Sequence, residues 1–573
     1  METAAGVVSK LTKLQGILKL LTYLQLTVYL WPPEATVKDG AYADFVIIGG
    51  GTAGSIIASS LLKYKHVSVI VVEAGGMGEF ETQQAGLFPL TKNTEYDWQF
   101  KTVENRVIQQ GKVLGGSSQV NYMIYGNGYP VDYDEWASIT NDSTWSFKNI
   151  LRLTKKAEKV TDKTILNSPD VAYHGTEGKI RLKRYHSGQS DAALNAYREM
   201  GYNVPNDINP SHEFGFSNAY LAIGQGNRQS TAYSFFSSER DNPNLKVSYH
   251  SVATKIIFDE NKRAIAVRVR TKDKKYITIN VKKEVIVTAG TFKSPQVLML
   301  SGIGPKQHLE SKNIKVVSDL PVGQNLQDHP TAVMVYKMGP VQPAPPPNPH
   351  EFPVELIAGR VAKDKCQKRA NYIIHSGVIV SPLFFFTLCS YVFNLRNEVC
   401  DRINKELSGR QIFLLTNGLL YPESRGEVIL NSTDPEEKPI IKLGLYSHHR
   451  DIERHAEYVE HYYEKVKAHY NKSNGYEFVD PGLEMCKGLK NGTHNYWKCY
   501  VRGMSTTLHN YVGTCAMGSV VDSKLRVIGV KGVRVADASV MPKIVGANVE
   551  ASVNIIAEKL VDILIEKYKP SAY

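Results

Sequence analysis

The stretch Phe45-Val46-Ile47-Ile48-Gly49-Gly50-Gly51-Thr52-Ala53-Gly54, with Val67-Ser68-Val69-Ile70-Val71-Val72-Glu73 downstream, decides the fold of this chain. An apolar β-run ends in a glycine turn, a helix-like segment continues through Leu62, and a second β-run ends on an acid. Strand, glycine turn, helix, strand and acid within about thirty residues form the entry unit of a dinucleotide-binding sheet. Each glycine has its own task. Gly49 permits the tight turn, Gly51 lets a pyrophosphate approach the backbone, and Gly54 lets the helix pack close to the strand. The helix N-terminus offers N–H donors and a positive dipole end to phosphates, and Glu73 is placed to accept from ribose hydroxyls. This unit does not distinguish NAD from FAD.

Around this unit the bulk numbers are those of a globular chain. At 573 residues it is long enough for two or more domains, with 42% hydrophobic and 22% charged residues. The net charge of +12 admits anionic partners. The densest basic stretch, Lys262 to Lys283, interleaves lysines and arginines with Val267, Val269, Ile277 and Ile279, which reads as the solvated face of strands and not as a nucleic-acid surface. Six scattered cysteines make no disulfide framework and no zinc site, although Cys486 and Cys499 could close a short loop. The first 31 residues admit two readings. Lys10, Lys13 and Lys19 before the apolar run Leu20 to Trp31 resemble a secretory signal, while Val7, Leu11, Leu14, Leu18 and Leu21 keep amphipathic helical spacing. The uncharged stretch Ala370 to Leu395 contains Asn371, His375, Gly377 and Pro382, and reads as a buried or pocket-lining segment instead of a transmembrane span.

Further motifs follow in order. Gly111-Lys112-Val113-Leu114-Gly115-Gly116-Ser117-Ser118-Gln119-Val120-Asn121 is a backbone-rich donor surface suited to a flat polar ring or a phosphate. Gly290-Thr291-Phe292-Lys293-Ser294-Pro295 leads to Leu298 through Gly304, then come Gly323-Gln324-Asn325-Leu326-Gln327-Asp328-His329 and His509-Asn510-Tyr511-Val512-Gly513-Thr514-Cys515. In this order, from about Tyr42 to Tyr568, these segments resemble the glucose–methanol–choline (GMC) oxidoreductases, with a flavour of the insect branch and its ecdysteroid-oxidising members.

The resemblance implies an α/β fold: a Rossmann-like FAD-binding domain plus a substrate domain carrying an antiparallel β-sheet. The expected layout is an N-terminal segment over 1–40, the first part of the FAD domain over 41–335, a mainly substrate-binding region over 336–504, and a closing part over 505–573. Gly49, Gly51, Thr52, Ala53, Gly54 and Glu73 would hold the adenosine and pyrophosphate half of FAD. Val252 matches the position whose backbone meets the adenine, Asp537 and Ala538 the central part, and Ser117, Ser118 and Asn121 the flavin and pyrophosphate. Some members attach flavin through a histidine just before the loop asparagine. Here that position is Val120, which has no nucleophile, so FAD is expected to be non-covalent. Gln110 stands where many relatives have arginine.

Alcohol oxidation removes a hydroxyl proton and a hydride, and flavin N5 accepts the hydride. Histidine suits the proton step. Among sixteen histidines, His509 matches the catalytic one, and Asn548 in Gly546-Ala547-Asn548 falls at the second catalytic position, where it can orient the substrate oxygen. No metal is expected. The expected partners are a small-molecule alcohol, bulky and apolar such as an ecdysteroid, and O2 or another electron acceptor. Phe384-Phe385-Phe386 could line such a pocket or belong to ordinary core. His329 reads as structural or near the flavin, and Cys515 as a packed small residue. A non-redox lyase of the same fold and a catalytically silent flavin-binding protein are the alternatives.

Overall fold

The computed structural model describes residues 30–568, apart from 65, 210–212, 341–347, 365, 408 and 474–476, together with isolated positions among the first fourteen. Both readings of the N-terminal segment, and most of the proline-rich run, lie outside the described residues.

Two seven-stranded sheets organise the chain. The first begins with β1 (Tyr42–Ile48), α1 (Thr52–Leu61) and β2 (Val69–Val72). Next come β3 (Leu245–Ser248), β4 (Val252–Phe258), β5 (Ala264–Arg270) and β6 (Tyr276–Val287). The strand order is β3-β2-β1-β6-β5-β4, and Val533–Val535 also pairs with β6. β3, β2, β1, β6 and Val533–Val535 run parallel, whereas β4, β5 and β6 pair antiparallel. The parallel strands are covered on both faces, so β2 is buried at every position. In β5 the buried Val267 and Val269 flank the exposed Arg268, which matches a strand with one wet face.

The glycine turn works as the residues require. Gly49 sits at φ +100°, and a Cβ on Gly54 would lie 2.1 Å from the Gly49 carbonyl oxygen, so only glycine lets α1 seat against the turn. All of α1 after Thr52 is buried, packed between the sheet and the C-terminal helix (Glu550–Tyr568).

The second sheet is antiparallel and contains β7 (Pro330–Pro340), β8 (Ile357–Val361), β9 (Tyr372–Ile379) and β10 (Arg410–Leu419). Its order is Glu477–Phe478, β7, β10, β9, β8, then Gly215–Asn218, with Ser505–Thr507 also paired to β7. Thus β7 runs across position 335, and a strand from the first half of the chain closes the sheet edge. The stretch Ala370 to Leu395 is accounted for by β9 and the short helices after it, and no helix among the described residues is long and apolar enough to cross a membrane. Phe385 and Phe386 are buried in the main core, away from the walls of the cavity described below. Cys486 and Cys499 are bonded, and Cys389–Cys400 is a second disulfide that spacing alone did not single out.

Gly54→Ala forces its methyl into the Gly49 carbonyl. The expected result is a loss of about 1–3 kcal/mol of stability with reduced FAD content, read by thermal unfolding and by the flavin absorbance of the purified protein.

Candidate active site

One long cavity runs from the glycine turn to the C-terminal motif. Gly49, Gly51, Thr52, Ala53, Glu73 and Val252 line one end, His509, Asn548 and Val549 the other, with Ser117, Ser118, Val120, Asn121, Asp537 and Ala538 between. Of the residues expected from sequence to be catalytic or to bind the cofactor, only Gly54 is absent from its walls, because it packs α1 behind them.

At the first end, no side chain caps the N-terminus of α1, so its first-turn N–H groups remain available to an anion. Glu73, at the end of β2, accepts from the N–H groups of Gly50 and Gly75, both at 2.8 Å. It therefore holds the turn as well as lining the cavity. Burial pushes its carboxyl up to about 7, against the pull of those N–H bonds. Further along, Ser117 Oγ accepts from Gly111 N–H (3.2 Å) and Gln110 Nε2 (3.1 Å), so Gln110 supports the loop as an uncharged donor. Asp537 accepts from Gly290 N–H (2.8 Å), Ser294 Oγ (2.6 Å) and Ser539 N–H (2.8 Å) and so joins the turn after Val533–Val535 to the first turns of the helix Gly290–Leu300. An uncapped helix end, a glycine-rich floor and a carboxylate at the strand end, all on one cavity, fit an extended dinucleotide.

At the other end His509 has φ +58°, an unusual backbone for a non-glycine residue. Its N–H donates to Thr507 Oγ1 at 2.9 Å, which helps hold the turn. The ring meets Tyr122 and Tyr511 edge to face, each at 5.9 Å between centroids. Nδ1 lies 3.2 Å from the Tyr511 hydroxyl. The Thr507 hydroxyl is also bonded to Tyr511 and donates to the Asp328 carboxylate. An ionised Asp328 can only accept, so it orients Thr507, then Tyr511, and leaves the tyrosine oxygen to accept Nδ1–H. His509 Nε2 then carries the lone pair, with no partner among the described residues. Burial pushes Asp328 up to about 7, so this orientation belongs to the pH range above that value.

Burial, above all, and then the Lys92 ammonium lower the His509 imidazole to about 3. The ring is consequently neutral, as a base must be. Lys92 itself is buried and donates to the carbonyls of Tyr391 (2.5 Å) and Val392 (3.2 Å), while the Tyr391 hydroxyl donates back to the Lys92 carbonyl (2.5 Å). Asn548 shares the cavity wall and is hydrogen-bonded to His375, a buried histidine of β9. His329 is fully buried, meets Asn510 Nδ2 through Nδ1 (3.1 Å), and stays off the cavity wall. Cys515 is a buried free thiol.

The family model described as GMC oxidoreductase matches residues 43–331 in its N-terminal part and 422–557 in its C-terminal part. The chain belongs to the GMC oxidoreductase family. Ecdysone oxidase of Spodoptera littoralis is 33% identical over 568 residues, spanning 94% of each chain. Glucose dehydrogenase [FAD, quinone] of Drosophila melanogaster is 31% identical over 542 residues, 90% of this chain and 85% of its own. Formate oxidase of Aspergillus oryzae shares the fold, with a TM-score of 0.81 at 24% identity over 93% of this chain and 100% of its own. The protein is thus an FAD-dependent oxidoreductase whose relatives include named oxidases and dehydrogenases.

Motif reading missed Lys92, Asp328 as an orienting group, Arg228 and Glu550. Asp328 stands beside His329 in one of the ordered motifs and Glu550 follows Asn548 by two residues, whereas Lys92 and Arg228 carried no such signal. Removing the Lys92 charge should make the His509 imidazolium less costly. Lys92→Gln is expected to raise the acidic pKa in the pH profile of kcat/KM, and an unshifted limb would show that the ammonium does not act on His509.

Proposed function

We propose that this enzyme oxidises an alcohol to the carbonyl compound, with His509 Nε2 taking the hydroxyl proton and Asn548 orienting the substrate oxygen. The observation that carries this reading is a neutral, buried imidazole, oriented through Nδ1, whose free nitrogen shares one cavity with Asn548 and the nucleotide-binding turn. FAD, when bound, supplies the hydride acceptor. Gly49, Gly51, Thr52 and Ala53 would meet the pyrophosphate side, Glu73 the ribose and Val252 the adenine. Asp537 and Ala538 would lie along the middle, and Ser117, Ser118 and Asn121 toward the flavin. Gly54 would act by letting α1 approach. Val120 offers no atom for a covalent link, which supports non-covalent binding.

The seven-stranded antiparallel sheet would shape the substrate side, with 336–504 supplying most of it and 505–573 returning His509 and Asn548 to the cofactor. Ecdysone oxidases of two insects match at 33% and 34% identity over 94% of the chain. That supports a bulky apolar alcohol such as an ecdysteroid, with O2 or another acceptor reoxidising the flavin. Burial of Phe385 and Phe386 removes these aromatics from that argument.

Anaerobic mixing of the FAD-loaded protein with ecdysteroids, sugars, short alcohols and aromatic alcohols should bleach the visible flavin band with at least one of them. His509→Ala should slow the bleaching by roughly 10²–10⁴-fold with FAD still bound. Turnover without bleaching would identify a lyase, and neither turnover nor bleaching would leave a flavin-binding protein.

A further inference from the structure

Asn121 lies between two buried charges that the reaction itself does not use. Its Nδ2 donates to Glu550 Oε2 at 2.6 Å. Its Oδ1 accepts from Arg228 Nη1 at 2.8 Å and from Met123 N–H at 3.0 Å. Arg228 is fully buried and is held further by the carbonyls of Asn121 (2.7 Å) and Thr82 (2.9 Å). Glu550, Asn121 and Asn548 all line the cavity. The second oxygen of Glu550 is buried without a partner. Glu550 is also the first residue of the 19-residue C-terminal helix, whose N-terminal dipole end faces this region.

We propose that Glu550 sets the electron affinity of the cofactor held in this cavity. Two-electron reduction adds negative charge to the flavin. In a wall of low dielectric, a carboxylate opposes that charge, whereas Arg228 and the helix N-terminus favour it. Glu550 compensates those two positive groups through the short contact to Asn121, so its charge decides the balance. Burial raises the Glu550 carboxyl to about 7 against the pull of Asn121 and the Arg228 guanidinium, so the carboxylate prevails above that pH, where the titration is run; the phenol of Tyr125 is the other titratable group acting on it. The inference rests on the reading that the reacting end of FAD lies at His509 and Asn548.

The test is anaerobic dye-equilibrated titration of the FAD-loaded protein, following the flavin absorbance, for the unaltered enzyme, Glu550→Gln and Glu550→Asp. At a fixed dye ratio, Glu550→Gln should raise the reduced-to-oxidised flavin ratio at least about tenfold, which for a two-electron couple is ~30 mV. Glu550→Asp, which keeps the charge, should stay near the unaltered value. An unchanged potential in a fully loaded Gln variant would overturn the proposal. So would equal shifts in both variants, which would point to packing. A Gln variant that binds no FAD would also overturn it, since the carboxylate would then serve binding. Failure of the active-site reading looks different: His509→Ala would turn over normally.

Discussion

Thr288, just beyond the end of β6, donates its hydroxyl to the Gly49 carbonyl at 2.7 Å, and that same oxygen leaves no room for a side chain on Gly54. Through this contact β1, β6 and α1 are drawn together around the nucleotide-binding turn. The uncapped N-terminus of α1 is thereby exposed to the cavity, and Glu73 is brought to the turn from the next strand. A larger residue at Gly54 would push α1 away from the turn, and with it the amides that would receive the phosphates in the proposed reading. The C-terminal helix packs on α1 and carries Glu550 at its start, so both ends of the site are referred to one backbone contact.

In the proposed reading, the His509 end obeys a different constraint. A general base in a buried pocket must stay neutral, keep its lone pair on the correct nitrogen and hold still. Burial and the Lys92 ammonium supply the first condition, and the chain from Asp328 through Thr507 and Tyr511 supplies the second. The third comes from two edge-on tyrosines and the His509 N–H bond to Thr507. Lys92 and Tyr391 bind each other in both directions, which couples the disulfide-bonded segment around Cys389 to the same corner. Neutralising His509 and anchoring that segment are therefore tasks of a single ammonium.

Local requirements were readable in the sequence. A turn that needs glycines at fixed offsets, a β-run on each side and a terminal acid are short-range facts, and all of them appear in the structure as read. The grouping of Ser117, Asn121, Val252, Asp537, His509 and Asn548 along one cavity was legible only through the order of motifs, since no periodicity brings such distant residues together. Lys92, Arg228 and Asp328 were not legible as cavity chemistry. Each is a charge whose meaning depends on which carbonyl, amide or hydroxyl the fold places beside it, and for Asp328 membership of a motif did not reveal that neighbour. Phe385 and Phe386 show the same limit from the apolar side, because a core and a pocket wall have one composition. The Cys389–Cys400 bond depends on a turn of helix that spacing alone does not reveal.

The central claim is that this cavity removes a hydride and a proton from one alcohol. It is tested most directly by rapid anaerobic mixing of the FAD-loaded enzyme with a reactive alcohol and with the same alcohol deuterated at the carbinol carbon. The flavin band should bleach with both alcohols, and clearly more slowly with the deuterated form. Carbonyl product formed from either alcohol while the flavin band stays unchanged would contradict that claim.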